Sequence, residues 1–258
     1  MSPSFLRPAL AAVLLLAAPA LAKDWAEHFR QRVAAFQEEN RRLDPAGRHV
    51  VLVGDSLTEG FNASRVARFL PRLAPRVLNR GISSDRVGPP RGVLSRLEAS
   101  VLDTRPAHVV LLIGVNQIGR DGSGIKGALA HYEQLLKRLA AEASGVPVTL
   151  VTTTPARAGY DALNPHIVTF DEGVRKLAQR YGHGLIDLHP LFKGEDGRLR
   201  PELSADGLHW TDRGYELYGR EIERAVAAAE AKAKQAAGQG GAGGTRRGLS
   251  QPVEGIGR

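Results

Sequence analysis

The chain has 258 residues, no cysteine and a formal net charge of +8. The lack of cysteine excludes disulfide scaffolding, thiol catalysis and a lipid-modified cysteine behind a leader. Half of the positive charge lies outside the central region, on Arg7 and on the basic excess of residues 227–258. The other arginines are scattered among acids, which argues against a dedicated nucleic-acid binder.

Residues 1–22, MSPSFLRPALAAVLLLAAPALA, read as a secretory signal peptide. Arg7 supplies the basic n-region, Ala9 to Ala18 the apolar stretch, and Ala20-Leu21-Ala22 the small-residue cleavage site. Pro19 interrupts the run before it reaches the ~18–20 residues of a spanning helix. The expectation is a secreted or periplasmic protein with no stable membrane anchor after cleavage. Residues 23–226 have the size and mixed pattern of one domain. Residues 227–258 form an Ala/Gly-rich tail. Its Ala part is expected to extend the last helix, and its Gly part is expected to be disordered.

Within the domain, Trp25, Phe29, Val33 and Phe36 recur at helical spacing, so 23–43 reads as an amphipathic opening helix. Apolar strands follow at HVVLVG (49–54), RVLN (76–79), HVVLLIG (108–114), PVTLVTT (147–153) and GLIDL (184–188). Helical patterns lie between them at about 88–102, 124–143 and 164–181, and a last helix starts near Thr211. Strands that are apolar on both faces and alternate with helices predict an α/β fold, a parallel sheet covered on both sides. Ligands of such folds bind outside the carboxyl ends of the strands.

Those ends carry reactive groups. The first strand ends in Gly54-Asp55-Ser56, the second in NRGIS with Gly81, and the third in Gly114-Val115-Asn116; ADGLHW with Asp206 and His209 follows the last. A serine hydroxyl needs an adjacent base, and histidine suits that task near neutral pH. A carboxylate fixes the tautomer of the imidazole. Asp206 and His209, three residues apart, fall on one side of a single turn. The Ser56 N–H, the Gly81 N–H and the Asn116 amide are candidate donors to an oxyanion. Each has a blander reading: Ser56 as a helix cap, Gly81 and Asn116 as turn residues, Asp206 as a turn residue and His209 as a surface histidine.

Together the blocks GDSLTEG, NRGIS, GVN and DGLH, in this order, resemble the SGNH-hydrolase (GDSL esterase/lipase) family from about residue 49 to 220. The resemblance implies a three-layer α/β/α, flavodoxin-like fold with a five-stranded parallel sheet. It places the nucleophile on Ser56, the Asp-His pair on Asp206 and His209, and the oxyanion donors on Ser56, Gly81 and Asn116, with no metal and no cofactor. Many members carry aspartate after the third-block asparagine; this chain has Gln117, which bears on the local loop geometry.

Three other patterns compete. GSGIKG (122–127) matches G-x-G-x-x-G but does not directly follow a strand. Gly54 to Gly60 lacks the Lys-Ser/Thr of a phosphate loop. Asp187 and His189 in IDLHPLF imitate a dyad, and His189 is expected to serve packing or support. Trp210 either walls the site, stacks a sugar or belongs to the core. The other histidines show no metal-ligand spacing. The sequence therefore predicts a serine esterase acting on short-chain acyl esters, carbohydrate O-acetyl groups among them, with a small-molecule or glycan ester as partner. The alternatives are a lysophospholipase or thioesterase of the same fold, or a non-catalytic glycan-binding module.

Overall fold

Strands β1 (Val50–Gly54), β2 (Val77–Gly81), β3 (His108–Leu112), β4 (Val148–Val151) and β5 (Gly184–Ile186) form one all-parallel sheet in the order β2-β1-β3-β4-β5. This is a computed structural model, and it describes residues 24–242; the expected signal peptide and the last part of the tail lie outside them. Gly54 stands opposite both Gly81 and Leu112, so the carboxyl ends of β2, β1 and β3 are level. The order reverses beside β1, which opens a crevice at those ends between β1 and β3.

Nine helices occur among the described residues: α1 (Trp25–Asn40), α2 (Ser56–Glu59), α3 (Ala63–Phe69), α4 (Leu97–Ser100), α5 (Val115–Ile118), α6 (Ile125–Glu142), α7 (Asn164–Tyr181), α8 (Leu188–Phe192) and α9 (Asp212–Ala242). Alternate residues of a strand face opposite sides of the sheet, and each side builds its own core. Val51, Val53, Val109 and Leu111 pack with Tyr132 and Leu135 of α6 and with Phe170 and Val174 of α7. Val50, Leu52, Val110 and Leu112 pack with Val66 of α3 and with Tyr218 and Ile222 of α9. Three layers result, and each large apolar side chain taken from water contributes about 1.5–3 kcal/mol.

Each strand overlaps its apolar run, but β2 continues to Gly81 instead of stopping at 79, and β3, β4 and β5 end at Leu112, Val151 and Ile186, two residues short of their runs. The helix expected over 88–102 is not continuous. It is replaced by a 3₁₀ turn at Val93–Arg96, the four-residue α4 and a second 3₁₀ turn at Leu102–Thr104. Pro89 and Pro90 lack amide donors, and a Cβ on Gly92 would overlap the Gly88 carbonyl. Helix α9 runs through position 227 to Ala242, so the Ala-rich part of the tail is helix. No helix among the described residues is long and apolar enough to cross a membrane.

Candidate active site

β1 ends in Gly54, and Asp55 then caps α2 by accepting from the Leu57 N–H at 3.1 Å. The cap is Asp55, which leaves the Ser56 side chain free at the first helical position. Gly54 is required by crowding, because a Cβ there would overlap Thr58 Oγ1 and the Leu112 carbonyl. At the other end of the chain, Ser204 Oγ donates to the His209 carbonyl at 2.7 Å and accepts from the Gly207 N–H at 2.9 Å. Gly207 has φ +92°, a left-handed conformation that favours glycine. This turn delivers Asp206 and His209 immediately before α9.

His209 Nε2 lies 3.0 Å from Ser56 Oγ, across 153 residues of sequence. Its Nδ1 lies 2.7 Å from Asp206 Oδ2. Asp206 Oδ1 accepts from the Leu208 and His209 amides at 2.9 and 2.7 Å. Burial pulls the Asp206 carboxyl upward, but the hydrogen bonds from the His209 ring and the two amides outweigh it and bring its pKa down to about 2. The carboxylate therefore stays ionised and holds the imidazole with Nε2 toward the hydroxyl. The side chains of Asp206 and His209 are 49% and 46% exposed, so the pair opens directly to solvent.

The proposed oxyanion donors separate. Asn116, in α5 after β3, donates from Nδ2 to the Asp85 carbonyl at 3.0 Å and keeps a second N–H. Gly81 does not serve as a donor. Its N–H is taken by Asn79 Oδ1 at 2.8 Å, while Asn79 Nδ2 bonds the Thr58 and Phe61 carbonyls at 2.6 and 2.8 Å. A Cβ on Gly81 would overlap the Glu59 backbone, so this glycine permits the approach of β2 to α2 and not that of a substrate. Three residues on, Ser84 has φ +62° in a turn closed by Asp85 N–H to the Ile82 carbonyl at 3.1 Å. The backbone amides of Ser56 and Ser84 donate to no acceptor among the described residues. Sequence reasoning passed over Ser84 because no glycine marks the left-handed position.

Arg96 was also missed, and it ties these pieces together. Fully buried, it donates from Nε to Asp85 Oδ2 at 2.8 Å and from Nη2 to the Gly54 carbonyl at 3.0 Å. Its Nη1 reaches the Arg80 carbonyl and Ser100 Oγ, both at 2.8 Å. The ends of β1 and β2 and the turn that holds Asn116 thus share one guanidinium. Burial pushes the Asp85 carboxyl up, with Arg96 opposing. Gln117 takes on the loop work expected of another side chain at its position: Oε1 accepts from the Val87 and Gly88 amides, each at 3.1 Å, and Nε2 lies 3.0 Å from His131 Nδ1.

The competing motifs stand elsewhere. Asp187 pairs with Arg175 at 2.9 and 3.0 Å, and His189 Nδ1 lies 3.0 Å from Asp171 Oδ2. Trp210 is buried, donates to Thr154 Oγ1 at 3.2 Å and meets Phe192, Tyr215 and Tyr218 ring to ring, so its role is in the core. The glycines of GSGIKG follow α5, not a strand, and Gly124 lets the loop pass against the Gln117 carbonyl. Among the described residues no three His, Asp or Glu side chains are grouped to hold a metal ion.

A nucleophile, a base, an orienting carboxylate and donors at one sheet edge can carry out acyl transfer. The family model of the GDSL-like Lipase/Acylhydrolase family matches residues 52–217. No curated protein matches the chain. A GDSL-like lipase from Bacteroides thetaiotaomicron superposes with a TM-score of 0.66 at 22% identity, over 76% of this chain and 98% of that one. The lipase/acylhydrolase from Enterococcus faecalis has a TM-score of 0.58 at 26% identity, over 69% and 94%. An acetylxylan esterase from Geobacillus stearothermophilus has a TM-score of 0.57 at 20% identity, over 70% and 94%. With the sheet order and the block residues already in place, the chain belongs to the GDSL-like lipase/acylhydrolase family and is an ester-hydrolysing enzyme with the SGNH-hydrolase fold.

Proposed function

We propose that the chain is a serine esterase that hydrolyses short-chain acyl esters, carbohydrate O-acetyl groups among them, through an acyl-enzyme on Ser56. The observation that carries this reading is the continuous line from Ser56 Oγ through His209 to Asp206, at 3.0 and 2.7 Å. His209 Nε2 takes the hydroxyl proton as Ser56 attacks the ester carbonyl, and Asp206 stabilises the imidazolium that forms. Negative charge on the carbonyl oxygen is met by the Ser56 N–H, the Ser84 N–H and the free N–H of Asn116. His209 then protonates the departing alcohol. In the second half it activates water, which releases the carboxylic acid and regenerates the serine.

The open setting of Asp206 and His209 supports small acyl groups on bulky alcohols over long chains that need an enclosed apolar channel. A glycan presents acetyl groups in this way, and acetylated xylan is the substrate named for the Geobacillus neighbour. With the leader predicted from residues 1–22, the enzyme works in the periplasm or outside the cell. The test is a series of p-nitrophenyl esters from acetate to palmitate, with acetylated xylan and a lysophospholipid alongside. The expected result is a maximum at acetate or butyrate, and no turnover by Ser56→Ala or His209→Ala. A maximum at palmitate points to the lysophospholipase reading; full activity of Ser56→Ala would sink the mechanism.

A further inference from the structure

Ser56 opens α2, a single turn of four residues, and Glu59 closes it. Glu59 Oε2 accepts from the Ser83 N–H at 2.6 Å and also from Ser83 Oγ. Ser83 directly precedes Ser84, the left-handed residue whose amide has no acceptor among the described residues. One short helix and one carboxylate therefore span the two backbone donors of the oxyanion.

The carboxylate is itself braced from α1. His28 Nε2 lies 3.1 Å from Glu59 Oε1, and Arg32 Nε lies 3.6 Å from the same oxygen. Arg32 Nη2 also donates to the Gly81 carbonyl at 3.1 Å, at the end of β2. Glu59 is 23% exposed. Burial works against its ionised form, but the bonds from Ser83 and His28 prevail and its pKa falls below the usual range. It is thus a fixed anion at neutral pH and accepts two bonds from one residue without needing a proton.

We propose that Glu59 is a positioning residue that sets the separation of the Ser56 and Ser84 amides, with His28 and Arg32 of α1 holding it in place. The proposal rests on the esterase reading and deepens it. Oxyanion donors act only when aimed at the place where charge develops, so a small displacement of the Ser84 turn costs rate and leaves substrate binding intact. The effect of Glu59 then falls on kcat, whereas a residue that merely stabilises the fold would change the melting temperature and the amount of active protein.

The test compares Glu59→Ala and Glu59→Gln with the wild type on p-nitrophenyl acetate, and measures amide hydrogen exchange at Ser83. Glu59→Ala is expected to lower kcat by about 10- to 100-fold with KM within about twofold. Exchange at Ser83 is expected to quicken at least about tenfold while β1 and β3 amides keep their protection. Glu59→Gln, which retains one acceptor oxygen, is expected to recover part of both effects and serves as the readout if Glu59→Ala folds poorly. Wild-type kcat in Glu59→Ala overturns the proposal, and so does unchanged exchange at Ser83. If the wild type hydrolyses no ester, the functional reading fails separately, and the Ser83 exchange rate still decides whether Glu59 holds the turn.

Discussion

Asp55 is a buried carboxyl through which pH acts on the stability of this fold. It is 1% exposed at the tip of β1, and its Oδ1 accepts one hydrogen bond, from the Leu57 amide. Burial raises its pKa from 3.8 to about 7; the Leu57 amide opposes this, the Asp85 carboxyl adds to it, and His209 opposes it. In the unfolded chain the carboxyl ionises at its ordinary value, so between about pH 4 and pH 7 the native state holds a proton that the unfolded state has released. Stability from this group is complete below about pH 4 and is lost as pH rises through 7. At 1.36 kcal/mol per pKa unit, the loss is on the order of 4 kcal/mol. Asp55→Asn keeps an acceptor for Leu57 and carries no charge, so it should not show this loss. Urea unfolding followed by tryptophan fluorescence at pH 4 and pH 8 measures it as a difference between the two proteins. The stability of Asp55→Asn relative to wild type should rise by about 4 kcal/mol between those pH values. Parallel pH profiles would refute the reasoning, because they would mean that Asp55 is already ionised when the chain folds.

Three further outcomes follow from the site. Asp206→Asn should lower kcat on p-nitrophenyl acetate by about 10²- to 10⁴-fold, with solvent screening of the half-exposed carboxylate favouring the lower end; a variant within a few fold of wild type would remove Asp206 from the mechanism. Gly81→Ala should destabilise the fold by about 1–3 kcal/mol, because its Cβ must displace the Glu59 backbone. Chemical denaturation reads this directly, and an unchanged midpoint would contradict the close approach of β2 to α2. Ser84→Val places a β-branched residue at φ +62°, which should cost about 1–2 kcal/mol. It should also lower kcat as the turn relaxes and its amide swings away; steady-state kinetics beside a melting curve separate the two effects.

Much of the fold was legible in the chain. Five apolar runs separated by helical patterns define a parallel α/β sheet, since strands buried on both faces need no polar alternation and parallel neighbours need crossover connections. The reactive residue types and their order along the chain were equally plain. Short elements were not, because α2, α3 and α8 are too brief to show a period, and α2 and α3 rest on the caps Asp55 and Asn62. The apolar spacing over 88–102 is helical, but Pro89, Pro90 and Gly92 keep the first residues out of a helix, and the rest falls into the short turns Val93–Arg96, Leu97–Ser100 and Leu102–Thr104.

Which polar group faces which was decided only by the tertiary structure. Nothing in NRGIS tells that Asn79 takes the Gly81 amide and leaves the one at Ser84 open. Nor does IDLHP tell that Asp187 turns to Arg175 and His189 to Asp171. Hydrogen-bond partners compete, and the winner is set by chain segments far apart in sequence, as with the 153 residues between Ser56 and His209. Sequence spacing determines periodicity and local turns; the allocation of donors and acceptors depends on how the layers close around them.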